Sequence, residues 1–273
     1  MLQVLHRSGN VHDSRGAEAF VAECVQRVRA ALPGVRIETR MDSAFFSEAL
    51  VSGLEALGVA YSISVPFARL PELKGRIEER RHWRRCLDAE SGCFEWRWRL
   101  KSWQRRRRFV CYRKRVPVRC KDPVQLDLFT PHAYGYEFKV VLTNTAVAAT
   151  VLLQRHNGRG AQEAVFAQLK TDNALAYIPA NTWRANQIYL TAAALAHNLT
   201  RELQMRTAAP QRSTGNQRRT LWPFATLSTL RQRVLQRAGR LIRPQGQLTL
   251  SLGANEALKA ELLHTLNALK AAA

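Results

Sequence analysis

The sequence predicts an α/β fold: a sheet with parallel strand pairs flanked by helices, then a β-rich basic middle and a helical C-terminal part. Three observations carry this reading. Strand and helix patterns alternate over residues 1–67. From Phe94 to Asn144 aromatic or apolar residues alternate with polar ones. From Ala146 onward apolar residues recur at helical spacing.

Leu2 to Leu5 is a short strand candidate. In Ala17–Leu32 the residues Phe20, Val21, Cys24, Val25, Val28 and Leu32 fall on one helical face, and Pro33 and Gly34 end it. Val35 to Thr39 is then a strand, with Asp42 just past its carboxyl end. Ser47 caps a second helix carrying Leu50, Leu54 and Leu57, closed by Gly58. Val59 to Val65 is the next strand. Functional groups in such sheets gather at the carboxyl ends of strands, where Asp42 lies. Residues 68–88 are charged and predicted helical. The middle, Phe94 to Asn144, has the single alternation of antiparallel strands and is the most basic part. Residues 185–206 predict a buried apolar helix. Thr207 to Arg219 is a Pro-, Ser-, Gly- and Arg-rich loop. Leu227 to Leu241 predicts a basic amphipathic helix, Leu248 to Leu252 an edge strand, and Ala254 onward a last helix. No internal repeat is visible.

The 273 residues suffice for one large domain or two moderate ones, and 46% are apolar, so the chain can bury a core. Lys and Arg number 42 against 21 acids, a formal net charge of +21. Such an excess points to a polyanion, because each neutralised phosphate releases counterions. Charge alone fits an RNA-binding accessory protein as well as a DNA-binding one. A membrane is the poorer partner: no run approaches the roughly 18 uncharged apolar residues of a spanning helix, the most apolar stretch being Ile188 to Leu199. Met1 to Arg15 has no apolar leader segment. The five cysteines, Cys24, Cys86, Cys93, Cys111 and Cys120, form no CxxC pair and fit reduced thiols better than a zinc site.

His156, Arg159, Glu163 and Lys170 are spaced three, four and seven apart, so one continuous helix would hold them in a stripe. One carboxylate among cations suits a divalent metal next to a phosphate; a solvated helix face has the same pattern. The surrounding residues add to this. NGRGAQEAVFAQLK, followed by IPANTWRANQIYLTAAALAHNL, resembles the third-carboxylate region of insertion-sequence DDE transposases, which carry a Tyr-x2-Arg-x3-Glu-x6-Lys signature. Arg159, Glu163 and Lys170 match its spacing, and His156 stands at the Tyr position. The stretch RMDSAFFSEAL resembles the family block R-x-D-S-x-F, whose aspartate is the second catalytic one; here it is Asp42. RSGNVHDSRGA resembles the family's RPGNVH loop.

The resemblance implies an RNase H-like mixed sheet flanked by helices, with Asp42 and Glu163 as catalytic metal ligands for two Mg²⁺ ions, for which Mn²⁺ can substitute. It implies hydrolysis at transposon ends followed by strand transfer. The partner is double-stranded DNA, both inverted-repeat ends and target, bound by a homodimer. The setting is a bacterial cytoplasm with nucleoid association. Arg159, Lys170 and His156, the run Arg105, Arg106, Arg107 and Arg108, and Trp98 are the expected DNA contacts. Family members place a first catalytic aspartate on an earlier strand, and no residue here matches it. Asp13 reads as a turn former, and Asp88, Asp122, Asp127 and Asp172 match no family carboxylate. The expectation is therefore a truncated, inactive chain whose first strands are missing; the alternative is a non-catalytic DNA-binding remnant or regulator of transposition. The expected domains are residues 1–67 and 146–206 as two parts of the core, 68–145 as a β-rich basic insertion, and 207–273 as a basic helical region.

Overall fold

The computed structural model describes residues 1–7, 9–11, 14–116, 135–158, 161–207, 209, 224–253 and 255–271. Two compact units divide the chain: Gly9–Arg159, and Met1–Ser8 together with Gly160–Ala273.

The Gly9–Arg159 unit runs α1 (Ala17–Ala31), β1 (Glu38–Met41), α2 (Glu48–Ala56), β2 (Ala60–Ser64), α3 (Pro71–Glu78), β3 (Arg84–Arg85), β4 (Ser91–Trp98), β5 (Arg107–Arg115), β6 (Tyr136–Thr143) and α4 (Ala149–Asn157). Its strands form one six-stranded mixed sheet in the order β1-β2-β6-β5-β4-β3. β1 and β2 are parallel and the other pairs antiparallel. A mixed sheet flanked by helices agrees with the expected RNase H-like class. The basic middle is antiparallel as its alternation predicts, but β4, β5 and β6 extend the same sheet as β1 and β2 rather than building a sheet of their own. Period-two alternation sorts the two faces. Tyr61, Ile63, Phe94, Phe109, Cys111, Val140 and Leu142 pack with Val25 of α1, Leu50, Val51 and Leu54 of α2, and Leu73 and Ile77 of α3. Cys93, Val110, Tyr112 and Val141 pack with Ala149, Leu152 and Leu153 of α4. Burying each large aliphatic side chain contributes about 1.5–3 kcal/mol.

Local signals explain several boundaries. Ser47 Oγ accepts from Leu50 N–H and caps α2. Gly58, at φ 61°, makes the left-handed turn into β2 that other residues strain to adopt. β1 begins three residues later than its apolar pattern suggests, because parallel pairing of Glu38 with Ala60 through Met41 with Ile63 sets it. The helix expected over 68–88 is confined to α3.

The second unit holds α5 (Ala161–Asp172), α6 (Trp183–Thr207), α7 (Leu227–Leu230), the hairpin β7 (Gly239–Ile242) with β8 (Thr249–Leu252), and α8 (Glu256–Ala271). The helix expected over 227–241 stops early: α7 gives way to a wider turn at Arg231–Leu235 and then to β7. Leu2 to Leu5 form no strand. They lie along α6 instead, where Gln187 accepts from His6 N–H at 2.7 Å and donates to Val4 O at 3.0 Å, and Asn198 donates to Met1 O at 2.7 Å. Asn186 clamps Ala180, accepting from its N–H and donating to its carbonyl. The buried face of α6 is thus polar and small: Asn186, Ala193, Ala194, His197 and Gln204. Contrary to expectation, its large apolar residues face outward, Ile188 being 69%, Leu195 58% and Leu199 60% exposed.

Candidate functional site

Asp42 follows β1 directly, at the carboxyl end of a parallel strand. Its Oδ1 accepts from Ala44 N–H at 3.0 Å and caps the short turn Ser43–Phe45. The carboxylate is half-buried. The flanking motif residues fix it. Phe45 and Phe46 pack against the core, and Phe46 stacks on Trp103 with ring centroids 4.9 Å apart. Arg40, two residues earlier, donates to Arg155 O at 2.7 Å and so ties β1 to the last turn of α4. A Cβ on Gly158 would come within 2.8 Å of the same guanidinium.

Of the stripe, His156 lies on α4 and Glu163 and Lys170 lie on α5. α4 ends at Asn157 and the next described helix begins at Ala161. The glycines Gly158 and Gly160 lower helix propensity at this point. His156 is fully buried, its ring nitrogens bonded to Ser62 Oγ at 3.0 Å and Ser64 Oγ at 2.8 Å. It therefore anchors α4 to β2 and presents no ring to a ligand, which corrects its expected DNA contact. Arg159 lies outside the described residues. Glu163 and Lys170 are both exposed on α5, two turns apart and on one face.

The arginine run divides in two. Arg105 and Arg106 are exposed. Arg107, with only 3% of its side chain exposed, pairs with Glu55 at 2.9 Å and lies 3.5 Å from Glu48. Arg108 pairs with Glu95 and donates to the carbonyls of Thr145 and Val147. Arg107 and Arg108 are thus taken up within the fold, against their expected role on DNA. Trp98 is half-buried, edge-on to Phe109 at 5.4 Å, Trp96 packs against the core, and Trp103 is buried in it. Sequence reading took these cations and rings for ligand contacts because one chain does not reveal which acids face them.

Register also separates the two candidate regions. Arg40, Ser62, Thr143 and Arg108 form one row across the sheet. Asp42 lies beyond that row at one end of the sheet. β5 runs in the same direction as β1, so Arg105 and Arg106 lie before the row, at the opposite end.

Carboxylate oxygens are the donors a hard divalent cation prefers, so Asp42 and Glu163 fit one in kind. Among the described residues, no group of three or more His, Cys, Asp or Glu gathers to hold a metal ion. Nor, among these residues, is any helix long and apolar enough to cross a membrane. Comparison with curated proteins finds no match for the chain. The family model described as "Transposase DDE domain group 1" matches residues 1–273, and the chain belongs to that family of DDE transposases.

Proposed function

We propose that Asp42 and Glu163 of this chain stand at two of the metal-ligand positions with which DDE transposases act on transposon ends by hydrolysis and strand transfer, the ion being Mg²⁺, which Mn²⁺ can replace. The family generally uses divalent metal ions. The observation that carries the proposal is Asp42 within its R-x-D-S-x-F block, half-buried at the carboxyl end of β1 in a chain of this family. A bound ion would polarise the phosphate and lower the pKa of an attacking water. Arg40 holds β1 against α4, and Asp42 keeps its orientation through Ala44 N–H. Lys170, with Arg159, would hold the phosphates of the reacting strand. Partners and setting follow the same reading: inverted-repeat ends and target DNA, a homodimer on that DNA, and the bacterial cytoplasm near the nucleoid.

These 273 residues match two of the family's three carboxylates, so the second part of the proposal is that this chain binds ends without cutting them. The test is cleavage of a duplex carrying inverted repeats of the transposon-end type, with Mg²⁺. The 273-residue chain should leave the duplex intact. A form given an added aspartate-bearing strand of the family's kind should cut it, and Asp42→Asn or Glu163→Gln should then abolish cutting. Strong Mg²⁺-dependent cutting by the 273-residue chain that survives both substitutions would show that the chemistry lies elsewhere.

Binding is expected to depend steeply on salt. Arg105→Ala and Arg106→Ala should each reduce the slope of log K against log salt by up to about 0.9, as for one lost phosphate contact. An unchanged slope in both moves the DNA path away from this run.

A further inference from the structure

The end of the sheet away from Asp42 carries a cleft of about 540 Å³ between the close of β4, the start of β5 and the exit of β6. Arg97, Arg106, Arg107 and Arg108 line it, with Glu55 and Glu95. The two carboxylates are already engaged. Glu55 accepts from Arg107 at 2.9 and 3.1 Å and from Tyr61 Oη at 2.8 Å. Glu95 accepts from Arg108 and, at 2.9 Å, from Arg84. Burial pulls both acids upward, but these hydrogen bonds outweigh it and hold both below the ordinary glutamate value. They stay ionised and neutralised by the arginines beside them.

Four arginines against two glutamates leave a surplus of two positive charges on the wall. Arg97 and Arg106 carry it. Both are exposed, and neither forms an ion pair among the described residues. Asn144, fixed by Tyr61 N–H and Val59 O at 2.9 Å each, makes the floor rigid. Clefts that take a drug-sized small molecule measure roughly 300–1,000 Å³.

We propose that this cleft is a phosphate-binding site, held by Arg97 and Arg106 and separate from the Asp42 end of the sheet. Planar guanidinium groups bind phosphate oxygens through paired N–H donors. Two sources share that chemistry: a backbone phosphate of duplex DNA, and a free phosphate or nucleotide. The first rests on the DNA reading above; the second does not.

The experiment compares the parent chain with Arg97→Ala/Arg106→Ala and with a charge control, Arg36→Ala/Arg85→Ala, two exposed arginines that do not line the cleft. Thermal melts confirm that all three fold. Binding is measured for a 20-base-pair duplex over a salt series, and by calorimetry for inorganic phosphate and for AMP. A tenfold loss of duplex affinity in the cleft variant, with the slope reduced by about 1–2 and the control unchanged, supports a DNA phosphate. Phosphate or AMP binding that the cleft variant loses, with duplex binding intact, supports the free source. Equal loss in both double variants, or no loss for any probe, overturns the site. A parent chain that binds phosphate in the cleft but no duplex sinks the DNA reading and keeps the cleft. Duplex binding that is equal in parent and cleft variant, without phosphate binding, does the reverse.

Discussion

Arg107→Ala is expected to destabilise the Gly9–Arg159 unit by about 3–5 kcal/mol, the usual cost of removing one partner from a buried ion pair. The guanidinium is almost wholly enclosed and donates to Glu55 and to Ser52 Oγ. Its removal leaves Glu55, about a fifth exposed, without its main counter-charge. Arg107 also lies 5.0 Å over the Trp103 ring, so alanine loses packing as well as charge. Urea unfolding at neutral pH measures the effect. The pH dependence has a definite sign. Burial raises Glu55 and the bonds from Arg107 and Tyr61 more than reverse this, so its folded pKa lies below the ordinary glutamate value. Its contribution is therefore full above that value and is lost as pH falls through the depressed one. The gap between parent and variant should narrow with acidification. An Arg107→Ala protein that unfolds with the parent would show that this cluster holds nothing together.

His156→Ala is expected to cost about 2–5 kcal/mol, from the space left by the ring and from two hydroxyls losing their partner. The ring is fully buried between β2 and α4, and Ser62 and Ser64 occupy its two nitrogens. The triple change His156→Leu, Ser62→Ala, Ser64→Ala separates the causes. Replacing all partners by apolar groups of similar size removes the unmet polar atoms, so most of the stability should return. If the triple variant is as weak as His156→Ala, the hydroxyl–imidazole bonds are not what the site depends on. DNA affinity measured on the folded fraction should not change in either variant, since the ring is out of reach of any ligand.

The sheet was legible where each residue's surroundings repeat along the chain. Alternation in FEWRWRL and YEFKVVL marked β4 and β6, and Ser47 with Leu50 and Leu54 marked α2. Asp42 was placed correctly, at a strand end, because a short motif surrounds it. The stripe through His156 and Glu163 divides for a local reason: spacing was counted through Gly158, and α4 ends just before it, at Asn157. Arg107 and Arg108 were read as ligand contacts because their acids, Glu55 and Glu95, lie on other elements and only tertiary pairing reveals them. α6 misled through its composition. Its apolar count suggested burial, yet its inner face is set by amide side chains with specific backbone partners. Gln187 and Asn198, eleven apart and hence on one helical face, were the available sign that something polar runs along it.

That arrangement has a consequence for synthesis on the ribosome. The Gly9–Arg159 unit is continuous and can close on itself as it emerges. Met1 to Arg7 cannot do the same, because their partners on α6 are Gln187 and Asn198. At about 5–20 residues per second, Met1 to Arg7 wait roughly 10–40 s for those amides to be made. Through that interval they are without their α6 partners, and any pause in translation before Asn198 lengthens it.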